Sequence, residues 1–159
     1  MSIVDLLLTQ LDQAYDRHSW HGTNLRGSIR RLTPAEAAWR PEQGRHSIHE
    51  IVVHAAYWKY AARRRLAREK RGSFPLKGSN WFSREEADAD LWRADLQLLE
   101  ECHRSLCEVV SRLSPAALTR SVGQSLSGLS LVSGIIAHDL YHAGQIQLIK
   151  RMHEAAMRE

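Results

Sequence analysis

The sequence predicts an all-α fold: a four-helix bundle forming one domain over residues 1–159, with a long loop between its second and third helices. Three observations carry this reading. Four long segments repeat their apolar residues with helical period, and none shows the strict alternation of a half-buried strand. Ser or Thr followed three residues later by Glu, the capping-box signature, recurs at candidate helix starts. The 159 residues suffice to bury roughly two-thirds of the unfolded surface around a single core without any covalent staple.

The first long helix runs from about Ile3 to Arg17, with Leu7, Leu8, Leu11 and Tyr15 on one stripe. Trp20-His21-Gly22-Thr23-Asn24 interrupts it, and Leu25 to Leu32 continues as a further helical piece. Thr33-Pro34-Ala35-Glu36 supplies an N-cap, a proline at the first helical position and a glutamate at the third, so a short helix covers Pro34 to Ala38 before Pro41 and Gly44 end it. Ser47 and Glu50 form the box of the second long helix, which should reach about Lys70 and bury Ile51, His54, Trp58 and Ala61 or Ala62. The stretch Gly72 to Trp81 is a loop by its glycine, proline and serine content, yet Phe74 and Trp81 give it something to pack with, so it folds over one end of the bundle.

Ser83-Arg84-Glu85-Glu86 reads as another box, opening the third helix through Leu91, Leu98 and Leu106 to about Leu113, where Ser114-Pro115 stops it. Between Pro115 and Ser130 lies a connector with one helical turn or a short extended piece. The fourth helix runs from about Leu129 to Met157, its inward stripe being Leu131, Ile135, His138, His142, Gln145 and Ile149. In such a bundle, ligands reach the core from facing helices.

Composition narrows the class. The formal charge of +4 comes largely from Lys59 to Arg71, with Arg63, Arg64, Arg65, Arg68, Lys70 and Arg71. That run closes a helix, where cations favour the negative end of the macrodipole, so it reads as a solvated face. Nucleic-acid binding is disfavoured, for no recognisable motif or interleaved aromatics accompany the charges. Cys102 and Cys107 are five apart on one helix, on opposing faces that a disulfide does not bridge. Reduced thiols point to the cytoplasm. The start Met1-Ser2-Ile3-Val4-Asp5 lacks a basic region and cleavage site, and charges break every apolar run before it could span a bilayer, which points to a soluble protein.

The chemistry-bearing residues are histidines. His138 and His142 stand four apart in the apolar run of the fourth helix and share a face, while His54 lies on the buried stripe of the second. Three neutral imidazoles are a frequent ligand set for a catalytic metal with one position left open. Burying several rings among Leu, Ile and Ala without partners costs on the order of 1–3 kcal/mol each, and one shared ion satisfies them together. The Irving–Williams order leaves Zn, Ni, Cu, Co and Mn open, with zinc or nickel preferred.

The other histidines are weaker candidates. His46 and His49 open the second helix, and His49 is five residues from His54, a poor spacing for a shared face. His103 and His153 fall on predicted solvated faces, whereas His21, beside Trp20, is placed to approach the cavity. Metal-bound imidazoles donate their second nitrogen to an outer partner, for which Asp139, Tyr141 and Gln145 are the nearby groups. Asp139 turns about 100° from His138, so it is equally a partner for a group on a neighbouring helix. Asp139 and His21 are the candidate general bases. Trp58 would wall the cavity.

Ser47 to Trp58 (SIHEIVVHAAYW) and His138 to Ile146 (HDLYHAGQI) together resemble the DinB-like (DinB/YfiT) superfamily of metalloenzymes, a similarity that covers nearly the whole chain. The resemblance implies a four-helix bundle, often dimeric, with a divalent ion on His54, His138 and His142. It also implies small-molecule chemistry, since some members are transferases or isomerases using a low-molecular-weight thiol. The expected function is therefore a metal-dependent hydrolase or thiol S-transferase acting on a small-molecule substrate, as a cytoplasmic homodimer without membrane attachment. Exposed helix faces rich in Ala and Leu suit the dimer. The alternative is a non-catalytic metal-binding bundle with a sensory or stress-response role, in which a closed coordination shell contributes folding free energy.

Overall fold

Every helix of this protein begins where a side chain can take up backbone N–H groups that the first turn leaves unpaired. In the computed structural model, which describes residues 1–123 and 125–158, seven helices follow in order. These are α1 (Ile3–Tyr15), α2 (Leu25–Ile29), α3 (Pro34–Ala38), α4 (Ile48–Leu66), α5 (Ala89–Ser111), α6 (Pro115–Thr119) and α7 (Gly128–Ala156). Ser2, Thr33 and Ser47 each form a complete capping box, with Asp5, Glu36 and Glu50 reaching back to the cap N–H. Asn24, Asp88, Ser114 and Ser127 cap the other four.

The long helices α1, α4, α5 and α7 enclose the core: α4 packs on α5 and α7, and α1 closes the other side against the same two. The short α2 lies on α7, and α3 lies on α4. One cluster of buried side chains gathers Tyr15, Leu25, Ile51, Val52, Leu99 and Ile146; a second gathers Leu7, Leu11, Leu106, Val110, Val132 and Ile135. Each fully buried aliphatic contributes about 1.5–3 kcal/mol of transfer free energy, which makes these clusters the main source of cohesion. At the start of α7, Gly128 lies so close to α6 that a Cβ would meet the Ala117 carbonyl at 3.2 Å. Ser121 and Ser127 form an isolated antiparallel bridge in the connector. Among the described residues no helix is long and apolar enough to cross a membrane.

Several expected boundaries move. The second long helix stops at Leu66, short of Lys70, because Arg68 adopts a left-handed φ of 58° and Gly72 follows at 114°. Likewise α2 ends at Ile29, before Leu32, and Arg31 turns the chain at φ 64°. The larger shift is in α5, which starts at Ala89 and not at Ser83. Ser83 spends its hydroxyl on the Glu85 side chain, and Arg84 is drawn off the helical path by Asp95 and Glu50. Asp88 instead accepts from the N–H groups of Asp90 and Leu91, both at 2.9 Å.

The buried stripe of α5 also differs from the expected Leu91, Leu98 and Leu106. It runs through Trp92, Asp95, Leu99, His103, Leu106 and Val110, so His103, expected on a solvated face, is in the core. Two polar residues disguise this stripe, and each finds its partner on α4: Asp95 takes His49 Nε2 at 2.8 Å, and His103 Nδ1 faces Lys59 Nζ at 3.3 Å. Lys59 is wholly enclosed and also bonds Asp139 on α7. A buried ammonium and carboxylate thus join α4 to α7 through the middle of the core.

Candidate metal centre

His54 reaches the site from α4, while His138 and His142 reach it from successive turns of α7. The three Nε2 atoms converge: His138 Nε2 lies 3.1 Å from that of His54 and 3.0 Å from that of His142. Outer contacts fix which nitrogens face one another. His54 Nδ1 donates to the Asn80 carbonyl at 2.9 Å, and His142 Nδ1 donates to Gln145 Oε1 at 2.6 Å. In a neutral imidazole a proton on Nδ1 leaves Nε2 as a lone pair, so at least two lone pairs point inward with a third nitrogen between them.

Without a shared cation or proton, such nitrogens repel. Tetrahedral coordination with metal–nitrogen bonds of about 2.0–2.1 Å would hold the donor atoms about 3.3 Å apart, close to the observed spacing. The donor set therefore fits a divalent metal ion. Burial drives His54 down to about 4 and His138 to about 3, with the neighbouring rings adding in the same direction; burial also lowers His142. All three are thus neutral, the form that ligates. Nδ1 of His138 is buried and has no hydrogen-bond partner among the described residues.

The loop between α4 and α5 completes the site. Trp81 lies flat between His54, at a centroid distance of 3.8 Å, and His46, at 3.5 Å. Asn80, at φ 67°, turns its carbonyl to His54 while its side-chain oxygen accepts from Trp58 Nε1 at 2.9 Å. Beside the trio opens a cleft of about 820 Å³, walled by His142, Gln145, Trp81, His46, Leu148 and Met152. His46 donates through Nδ1 to Glu50, 3.0 Å away, whose carboxylate also takes a two-pronged bond from Arg40 at 2.9 and 2.7 Å. Burial pushes Glu50 up, but Arg40 and His46 outweigh it and hold the carboxyl below its ordinary range.

His54, His138 and His142 are thus brought together, and of the expected outer partners Gln145 bonds the trio directly. The exposed Tyr141 acts one step removed, its hydroxyl accepting from Gln145 Nε2 at 3.3 Å. Asp139 and His21 are not brought to the rings. Asp139 is wholly buried and bonded to Lys59, while His21 is exposed and bonded to Ser19. Sequence reasoning missed Asn80, expected Trp81 to pack without naming the rings it covers, and placed Lys59 in the solvated charged run, whereas Lys59 is buried in the core. The available signal for Lys59 was its position inside Val52 to Ala62, an apolar run too continuous to leave a solvated face.

Asp12, His103 and Cys107 also lie within reach of one another. The Lys59 ammonium donates to His103 Nδ1 and so places the ring proton on Nε2, toward Cys107 Sγ at 3.5 Å and Asp12 at 3.6 Å. That nitrogen is a donor, and the cluster is a hydrogen-bonded one.

The family model of the DinB superfamily matches residues 17–146. Among solved structures, the crystal structure of a conserved protein from Enterococcus faecalis superposes with a TM-score of 0.67 over 96% of this chain and 97% of that one, at 17% identity. At that identity the likeness concerns the fold. No curated protein matches the chain.

Proposed function

The chain belongs to the DinB superfamily, and on that premise we propose that it is a divalent-metal-dependent enzyme of hydrolase or thiol S-transferase type. His54, His138 and His142 would hold the ion, zinc or nickel. The observation that supports this reading is the convergence of three Nε2 atoms at the edge of an open cleft. When bound, such an ion supplies the Lewis acidity that makes a water or a small thiol nucleophilic near neutral pH.

The chain's own groups do the rest. Asn80 and Gln145 hold two rings in the tautomer that presents Nε2, and Trp81 restrains His54 by stacking. Leu148, Ile149 and Met152 offer an apolar wall to the substrate, with Gln145 and Tyr141 as polar groups at its edge. We assign proton transfer to His46 in place of Asp139 or His21. Its Nδ1 is anchored on Glu50, its ring lines the cleft with His142, and imidazole is the side chain most used for this task. A cytoplasmic homodimer completes the proposal: Cys102 and Cys107 are free thiols, and Ile3 and Leu6 of α1 and Leu129 of α7 leave apolar surface exposed away from the cleft lining.

Elemental analysis of the purified protein tests the site. About one equivalent of metal per chain is expected, lost in His138→Ala and His142→Ala with the helical spectrum retained. Gln145→Leu should weaken affinity by about 10–100-fold. Turnover of p-nitrophenyl acetate, and of cysteine with 1-chloro-2,4-dinitrobenzene, should vanish with chelator and return with metal. Full metal content in both histidine variants would defeat the ligand assignment; chelator-insensitive turnover would defeat the mechanism.

A further inference from the structure

A second cleft, of about 780 Å³, opens between the C-terminal half of α4, the loop that follows it and the Val122-Gly123 segment. No residue of the histidine trio lines it. Its floor is aromatic: Phe74 sits edge-on to Tyr57 at 5.3 Å between centroids and tilted against Tyr60 at 5.2 Å. Its rim carries Arg64, Arg65, Arg71 and Lys77, and no carboxylate is among the lining residues.

Among the described residues, the charge on this rim is uncompensated. Arg63, one residue away, is neutralised by both oxygens of Glu69 at 3.0 and 2.6 Å. By contrast, among the described residues Arg65 bonds only the carbonyls of Val122 and Gly123, at 3.1 and 2.9 Å, and Arg64 bonds the Glu69 carbonyl at 3.1 Å. These neutral partners position the guanidinium groups without discharging them. Arg71 and Lys77 make no ion pair among the described residues. Four like charges around one concavity repel each other and focus a positive potential into it, so an anion is the ligand that relieves them. The volume lies in the range of small-molecule sites, which pair an apolar lining with a few charged groups.

We propose that this cleft binds a small organic anion with a flat apolar body, the anionic group taken by Arg71, Lys77 and the two fixed arginines and the body laid on Phe74 and Tyr60. The four cations line a single concavity of bounded volume, which favours a discrete ligand over a nucleic-acid strand that a longer groove would track. Hydrogen bonds in which one partner is ionised contribute about 1.5–3 kcal/mol each, roughly tenfold in affinity or more per contact.

Isothermal titration of the full chain with 2-naphthalenesulfonate, 2-naphthol and sulfate tests the proposal, because the three probes separate the ring from the charge. The sulfonate should bind at least about tenfold tighter than either fragment. Arg71→Ser/Lys77→Ser should weaken it by at least about tenfold, and Phe74→Ala should weaken it as well. Arg45→Ser, in the cleft beside the histidines, should leave it unchanged. Arg71 and Lys77 are exposed, so unchanged thermal melts are expected and separate lost binding from lost folding. Equal binding of sulfonate and naphthol, an unaltered affinity in the double variant, or loss confined to Arg45→Ser would each overturn the proposal. Tighter binding of a ten-residue oligothymidylate than of the sulfonate, abolished by the same double variant, would replace it with a nucleic-acid site.

Discussion

Replacing Lys59 by Met should destabilise this protein by about 3–5 kcal/mol, the cost of leaving a buried charge without its partner. Lys59 and Asp139 have no exposure to solvent. Asp139 Oδ2 takes the ammonium, and Oδ1 has no hydrogen-bond partner among the described residues. The same ammonium faces His103 Nδ1 at 3.3 Å and lies 5.0 Å from the centre of the Tyr15 ring. Met can fill the channel of the lysine stem, so lost packing is small and the loss is electrostatic. A domain stability of about 5–15 kcal/mol makes the effect a large fraction of the whole, equivalent to about 6–20 °C in melting temperature at this chain length. Replacing both partners, as Lys59→Met/Asp139→Leu, should bring stability back to within about 1 kcal/mol of the parent or above it, since apolar pairs of similar volume replace buried ion pairs without loss. Urea denaturation followed by circular dichroism measures both. A single variant within about 1 kcal/mol of the parent, or a double variant no better than the single, would refute the reasoning.

Asp88→Ala should cost about 1 kcal/mol, because Asp88 takes the first free N–H groups of α5. Ser83→Ala should cost a few tenths at most, and the reverse order in thermal melts would restore Ser83 as the helix start. The pH dependence of stability should carry a signature of His103, which burial, helped by Lys59 and Arg26, lowers to about 3. Below the ordinary value of about 6.5 the unfolded chain takes a proton that the folded ring refuses, so this group's contribution to stability falls by about 1.4 kcal/mol per pH unit on acidification. His103→Gln keeps an acceptor for Lys59 and lacks the titration. The stability of the parent relative to that variant should therefore drop by about 2 kcal/mol between pH 7 and pH 5, and a constant difference would show that the folded ring protonates.

Local signals made much of this molecule legible from the sequence. Cap residues act on the next three or four backbone groups, so Thr33 and Ser47 marked their helices without any tertiary information. The spacing of His138 and His142 determined that two imidazoles share a face, and helical period turned His54, Leu131, Ile135, His142 and Ile149 inward, whereas His138 and Gln145 are half-buried and Asp139 and Ile146 are buried instead. The same local logic misled at Ser83, where the pattern was present but Arg84 had stronger partners, Asp95 and Glu50, distant in sequence.

Only the tertiary structure decided the partners. Whether Asp139 served the rings or the core depended on a lysine 80 residues earlier, and no periodicity encodes which buried charge meets which. His103 and Asp95 broke the apolar stripe of α5 in the sequence, yet pairing with α4 makes their burial affordable, and pairing is a property of two helices together. Asn80 and Trp81 sit in an irregular loop, where composition says turn but says nothing of which ring it will cover. Residue type and spacing thus determine what each short segment presents, because those interactions act over a few residues. Long-range packing alone selects which presented groups meet, since that choice minimises unpaired polarity over the whole core at once.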